Sequence, residues 1–233
     1  MLYLRLYFEG IQRAFRGIGK SPWTVLLPLL YAVAFLAATI LVGPLGGTVG
    51  GFILGIVLDL LASSLLYFVA QAVKSTPAKP RELKQSLLEY FWPVVSFGFV
   101  YWIASWAIHS VLETQPNGAK IWLAILGVAT VLLNVVPEVI YQKSPNGGIA
   151  TIMESVGFIQ RHWPEWLIPN LAILFGLYEL NALMMRLPFG LYMLPLWGVL
   201  LYVVFVIRGS IFNLIDTTSP FQLKVRYGRK PQK

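Results

Sequence analysis

Residues 3–42 read YLRLYFEGIQRAFRGIGKSPWTVLLPLLYAVAFLAATILV, and the change of character at Trp23 decides the fold. From Trp23 to Val42 no residue is charged. About 20 apolar residues in a helix cross a hydrocarbon core ~30 Å thick. Before that run, Leu4, Phe8, Ile11, Phe15 and Ile18 recur at spacings of four and three. Arg5, Glu9, Gln12, Arg13, Arg16 and Lys20 fill the opposite face. This is the 3.6-residue period of an amphipathic helix, and a basic one beside a span lies in the headgroup plane. Gly10, Gly17 and Gly19 weaken it, by about 1 kcal/mol each against alanine where interior.

The same order of features returns twice. Leu83, Leu87 and Phe91 lead into Trp92, and Ile149, Ile152, Met153, Val156 and Ile159 lead into Trp163 and Trp166. From Trp23 to Trp92 is 92 − 23 = 69 residues, and from Trp92 to Trp163 is 163 − 92 = 71. A fixed period marks one structural unit used repeatedly. The unit here is an interfacial helix followed by a pair of spans. The chain is therefore expected to be all-α, a single integral membrane domain over residues 1–233. Its units run 1–73, 81–142 and 149–208, with a basic tail over 209–233. Spans are expected at Trp23–Val42, Phe52–Val73, Phe91–Leu112, Ile121–Gln142, Trp166–Leu187 and Phe189–Arg208, with kinks at Pro137 and Pro195. Trp23, Trp92, Trp163 and Trp166 are expected as interfacial anchors, since the amphipathic indole suits that boundary.

Composition agrees. The chain is 57% hydrophobic and 12% charged, with a mean hydropathy of +0.69, where soluble domains carry about 25% charged residues. Of the 18 lysines and arginines, 16 fall in the termini and the loops at 74–90 and 143–165; only Lys120 and Arg186 lie elsewhere. Basic residues mark the cytoplasmic side, so both termini are expected there. The net charge of +8 is then a topology signal and not a nucleic-acid surface, which needs base-reading groups on a basic face. Arg5, Glu9 and Arg13 break any apolar leader core, so a secretory signal is not expected.

Chemistry-bearing residues are few. Cysteine is absent, which removes thiolate ligands and thiol nucleophiles. His109 and His162 fall on opposite sides of the expected membrane and cannot share a metal. No phosphate loop of the Walker type is present. No catalytic residue, metal or cofactor is assigned. Ionisable groups within spans default to functional candidates because they are costly there. These are Asp59, Glu179, Arg186, His109 and Glu138. Asp59 and Glu179 either line an outward polar cavity, or Glu179 pairs with Arg186 or His109 while Asp59 bonds Ser63 or an asparagine. Gly43, Gly47, Gly51 and Gly55 stand four apart. From Gly47 onward they make either a close-packing helix face for a neighbouring span or a second copy, or a flexible outer loop.

Pro137-Glu138-Val139-Ile140-Tyr141 closes the second unit, and Ser86 to Trp92 and Ser155 to Trp163 each lead into a span. This pattern resembles a group of six-span bacterial proteins, the YciC-like proteins and the membrane region of some glycerophosphodiester phosphodiesterases. The resemblance implies a bacterial inner-membrane protein and supplies no site residues or hydrolase activity. The basic N-terminal helix, six spans and cytoplasmic termini also resemble permease subunits of ABC-2 type exporters, which work with a separate ATPase. The residues point to a non-catalytic component of a membrane complex or organiser of lipid and protein partners. The expected partners are membrane lipids and other membrane subunits or a second copy, with no nucleic acid. The interfacial helices serve either as a partner platform or as anchors for each hairpin.

Overall fold

The computed structural model describes residues 2–185 and 194–218, and all regular structure among them is helical. Helix α1 (Leu2–Lys20) passes through a short 3-10 turn at Pro22–Leu26 into α2 (Leu27–Val42). Pro22 and Pro28 both fall in the first turn of their helix, where a missing N–H costs nothing. A 3-10 turn at Gly43–Leu45 leads to α3 (Gly47–Val73). Gly46 and Gly47 adopt φ of +60° and +51°, the left-handed region that glycine enters without steric cost. Helix α4 (Leu83–Glu89) precedes α5 (Phe91–Leu112), α6 (Gly118–Leu133), α7 (Val136–Lys143), α8 (Gly148–Met185) and α9 (Leu194–Thr217).

Six stretches among the described residues are long and apolar enough to cross a membrane. The protein is thus an all-α polytopic membrane protein. The segments ahead of Trp92 and Trp163 are helical, in α4 and in the first part of α8. The latter is not a separate element. It runs on into the fifth span through a kink at His162 (φ −132°, ψ 22°), where Pro164 removes the N–H that would bond the Gln160 carbonyl. The fourth span breaks between Leu133 and Val136 just before Pro137, as the proline predicts. Pro195 makes no kink, because α9 starts at Leu194 and places it in the first turn. At its other end α9 continues past Arg208 to Thr217, so the expected tail begins inside a helix.

Burial is concentrated at the end of the bundle that carries α1. In α3 the buried residues beyond Gly50 run from Ser63 to Ala72, in α7 from Val136 to Tyr141, and in α9 from Tyr202 to Ile215. Leu41, Val49 and Phe52 around one far turn and Val111, Ile121 and Leu123 around the next are exposed. With lipid as the solvent such surface carries no hydrophobic penalty, so the far halves need no tight packing.

Helix α1 packs most extensively on α9 and also touches α3. Its buried face is Leu6, Gly10, Ala14 and Gly17. At Gly17 a Cβ atom would overlap the Ala72 carbonyl oxygen, so this glycine is a close-approach position and not only a weak point in the helix. A buried hydroxyl chain, Tyr31 to Ser64 to Ser86, links α2, α3 and α4. Beside it the Ser63 hydroxyl donates to the Ser86 carbonyl (3.1 Å) and accepts from the Tyr90 N–H (2.9 Å).

Candidate functional site

Two features of the α1 end concentrate the polar and exposed chemistry. The first is α1 itself. At 3.6 residues per turn its side chains sort into three sectors. Leu6, Gly10, Ala14 and Gly17 face the bundle. Leu4 (71% exposed), Phe8 (62%), Ile11 (36%) and Phe15 (56%) form a stripe that touches no core. Arg5, Glu9, Gln12, Arg13, Arg16 and Lys20 form the third sector. Within it Arg13 pairs with Glu9 at 2.8 Å, and the Lys20 ammonium reaches past the helix end to the Ser75 carbonyl at 2.7 Å.

The N-terminal end of α1 is fastened to α8 just beyond its kink. The Tyr3 hydroxyl donates to a Glu165 carboxylate oxygen at 3.2 Å, and the Tyr7 hydroxyl to the Glu165 backbone carbonyl at 3.1 Å. Burial, with the Glu165 carboxylate adding to it, pushes the Tyr7 hydroxyl up to about 12. It therefore remains a hydrogen-bond donor across the physiological range.

The second feature is a buried polar cluster where the fourth span breaks. Glu138 in the first turn of α7 is fully buried. The Arg208 guanidinium on α9 meets it with Nε 2.9 Å from Oε1 and Nη2 3.2 Å from Oε2. Arg208 also donates to the Asn134 backbone carbonyl and to its side-chain oxygen, the latter at 3.1 Å. Asn134 lies in the break, where helical partners are missing, so Arg208 satisfies the end of α6 while it neutralises Glu138. A carboxylate in the first turn of α7 is also favoured by the helix dipole. The buried Trp166 ring closes the cluster: its N–H donates to Asn134 Oδ1 at 3.2 Å, and the guanidinium carbon lies 5.3 Å from the ring centroid. Around it Gln142 donates to the Gly209 carbonyl (2.9 Å), Asn213 donates to Gln142 (3.2 Å), and Lys143 pairs with Asp216 (2.9 Å) and Glu154 (3.4 Å).

The remaining expected residues do not converge. Asp59 is partly exposed, and no hydrogen bond or ion pair joins it to another described residue; Ser63 is committed elsewhere. The expected polar partner of Asp59 is therefore not found. Glu179 is exposed in a shallow depression with Leu180, Ala182 and Leu183 and forms no ion pair among the described residues. Arg186, its expected partner, lies outside the described residues. His109, the other candidate, instead has Nδ1 3.1 Å from Oε1 of Glu113, the residue that follows its own helix, and packs on Trp122. Helix α3 starts at Gly47, itself left-handed in φ, and Gly51 and Gly55 lie within it, which overturns the loop alternative beyond Gly47. A Cβ at each would meet nothing within 4 Å, so among the described residues no neighbouring span uses that face.

The tryptophans divide. Trp92 (72% exposed) and Trp163 (58%) are exposed at the surface. Trp23 is partly buried, edge-on to Phe68 at 5.3 Å, and donates its N–H to the Ala78 carbonyl. Trp166 is no interfacial anchor: it is fully buried because its ring packs on Phe158 and Phe212 and its N–H is taken by Asn134. The sequence reading placed Arg208 among the basic residues outside the membrane and so missed its pairing with Glu138. The available signal was the apolar run before it, Leu200–Ile207, with Ile211, Phe212 and Leu214 following it, which makes Arg208 an intramembrane charge in need of a partner.

No protein family, curated protein or solved structure matches this chain.

Proposed function

We propose that the protein is a non-catalytic integral membrane protein of the bacterial inner membrane, with both termini cytoplasmic. In this reading it is a component of a membrane complex or an organiser of lipid and protein partners. The observation that carries the reading is how the intramembrane charge is used. The carboxylate of Glu138 is occupied by Arg208, which in turn satisfies the broken end of α6. A charge pair committed in this way holds α6, α7, α8 and α9 together and engages Glu138 in structure. Meanwhile the exposed surface offers α1 with an apolar stripe and a basic rim, a form suited to partners. Purification in native lipid, followed by mass spectrometry of the intact assembly, tests this. Defined lipids or membrane subunits at fixed stoichiometry are expected.

One observation favours the exporter-permease reading instead. The fourth span is interrupted next to buried charges, and interrupted spans are where transporters place their binding sites. A nucleotide-binding subunit present in stoichiometric amount would establish that alternative and overturn the first.

A further inference from the structure

We propose that α1 is seated in the bilayer boundary, with the Leu4–Phe8–Ile11–Phe15 stripe among acyl chains and Arg16 on the phosphates of anionic phospholipid. The order of sectors around the helix identifies the occupant. A helix at the rim of a bundle and at the membrane surface has three neighbours in succession: protein, acyl chain and headgroup water. The sectors of α1 follow that order, with the small-residue face on α9 and α3, then the exposed apolar stripe, then the charges. A protein arriving from water would meet the charged sector first and leave the stripe uncovered.

Connectivity agrees. Only Ser21 and the turn at Pro22–Leu26 separate α1 from α2, and the exposed Leu26 of the turn and Leu30 of α2 continue the apolar surface. Trp92 and Trp163, on the other two segments leading into spans, are exposed at the same end of the bundle, and indole rings favour the headgroup level. Charge fixes the lipid class. Residues 2–20 hold three arginines and one lysine against one glutamate, so 4 − 1 = +3. Such a segment is attracted to an anionic leaflet. Arg16 is exposed and forms no ion pair among the described residues.

The inference rests on the reading of the protein as an organiser of lipid partners, and the two fail by different results. A stoichiometric nucleotide-binding subunit overturns that reading and leaves the following measurement unchanged. The chain has no cysteine, so single variants Phe8→Cys and Gln12→Cys of the full chain take a fluorophore at one known site. In nanodiscs of phosphatidylcholine with phosphatidylglycerol, the label at 8 is expected to be quenched by brominated acyl chains and shielded from aqueous iodide. The label at 12 is expected to show the reverse. Iodide quenching at 8 equal to that at 12, or protection of 8 from both quenchers by a covering protein, would overturn the proposal. Arg16→Gln is expected to weaken the preference for phosphatidylglycerol over phosphatidylcholine roughly fivefold, the effect of one basic residue near an anionic surface. Arg16→Lys, which keeps the charge, should retain the preference. An unchanged preference in Arg16→Gln would overturn the headgroup assignment.

Discussion

Arg208 grips Glu138 through two nitrogen–oxygen contacts, Nε to Oε1 at 2.9 Å and Nη2 to Oε2 at 3.2 Å, and so ties the last span to the broken fourth one. Losing one partner strands the other charge in a buried site. Glu138→Ala and Arg208→Ala are each expected to lower stability by about 3–5 kcal/mol. The double change Glu138→Leu with Arg208→Met should recover most of that loss, because the charges vanish together. Thermal unfolding in detergent reads the difference. A double variant as unstable as either single one would show that the capping of Asn134 by Arg208, not the pairing, is what matters.

Gly17 and Gly19 differ by two positions and by surroundings. A Cβ at Gly17 would overlap the Ala72 carbonyl oxygen, and one at Gly19 meets nothing within 4 Å. Gly17→Ala is therefore expected to loosen α1 from α3, with faster proteolysis of the N-terminal helix. Gly19→Ala should be neutral or stabilise by up to about 1 kcal/mol, the helix propensity difference. Equal behaviour of the two variants would contradict the close approach at Ala72.

The spans were legible because lipid imposes length and hydropathy directly on the sequence. Pro137 likewise announced the break in the fourth span. The polar cluster was not legible for a geometric reason. Its members sit at 134 in the break and at 138, 166 and 208 on three helices, and no periodicity links residues that meet only after packing. The apolar pattern of α1 was read correctly as a stripe, yet the face that binds the bundle is Leu6, Gly10, Ala14 and Gly17. Its glycines registered as weakness because their cost is local while their benefit lies in the backbone of another helix. Trp166 was misplaced for a related reason: position beside a span cannot distinguish an indole at the boundary from one buried against an arginine.

Asp59 follows Gly51 and Gly55 at four-residue steps and has no hydrogen-bonding partner among the described residues. With no bond to lose, Asp59→Asn should leave thermal stability within about 0.5 kcal/mol of the parent. A loss of several kcal/mol would mean that a group outside the described residues, or a second chain, holds the carboxylate in the folded state.

Topology is the broadest test, because the proposed cytoplasmic platform depends on it. Of the lysines and arginines, 16 of 18 fall on the side of α1 by the sequence reading. The structure refines where to probe. Ala78 is a poor reporter, since it is buried and its backbone N–H and carbonyl bond Ser21 and Trp23. Lys79 beside it is exposed. Cysteines replacing Thr48 or Asn117, at the two described far turns, should react in intact cells with a membrane-impermeant thiol reagent. A cysteine replacing Lys79 should react only after the membrane is opened. The native chain contributes no background, having no cysteine. Labelling at 79 with protection at 48 and 117 would invert the protein, and α1 with its lipid-facing stripe would then lie on the outer leaflet. Labelling of all three sites from outside would contradict the arrangement of α2, α3, α5 and α6 as spans, since consecutive turns must alternate sides.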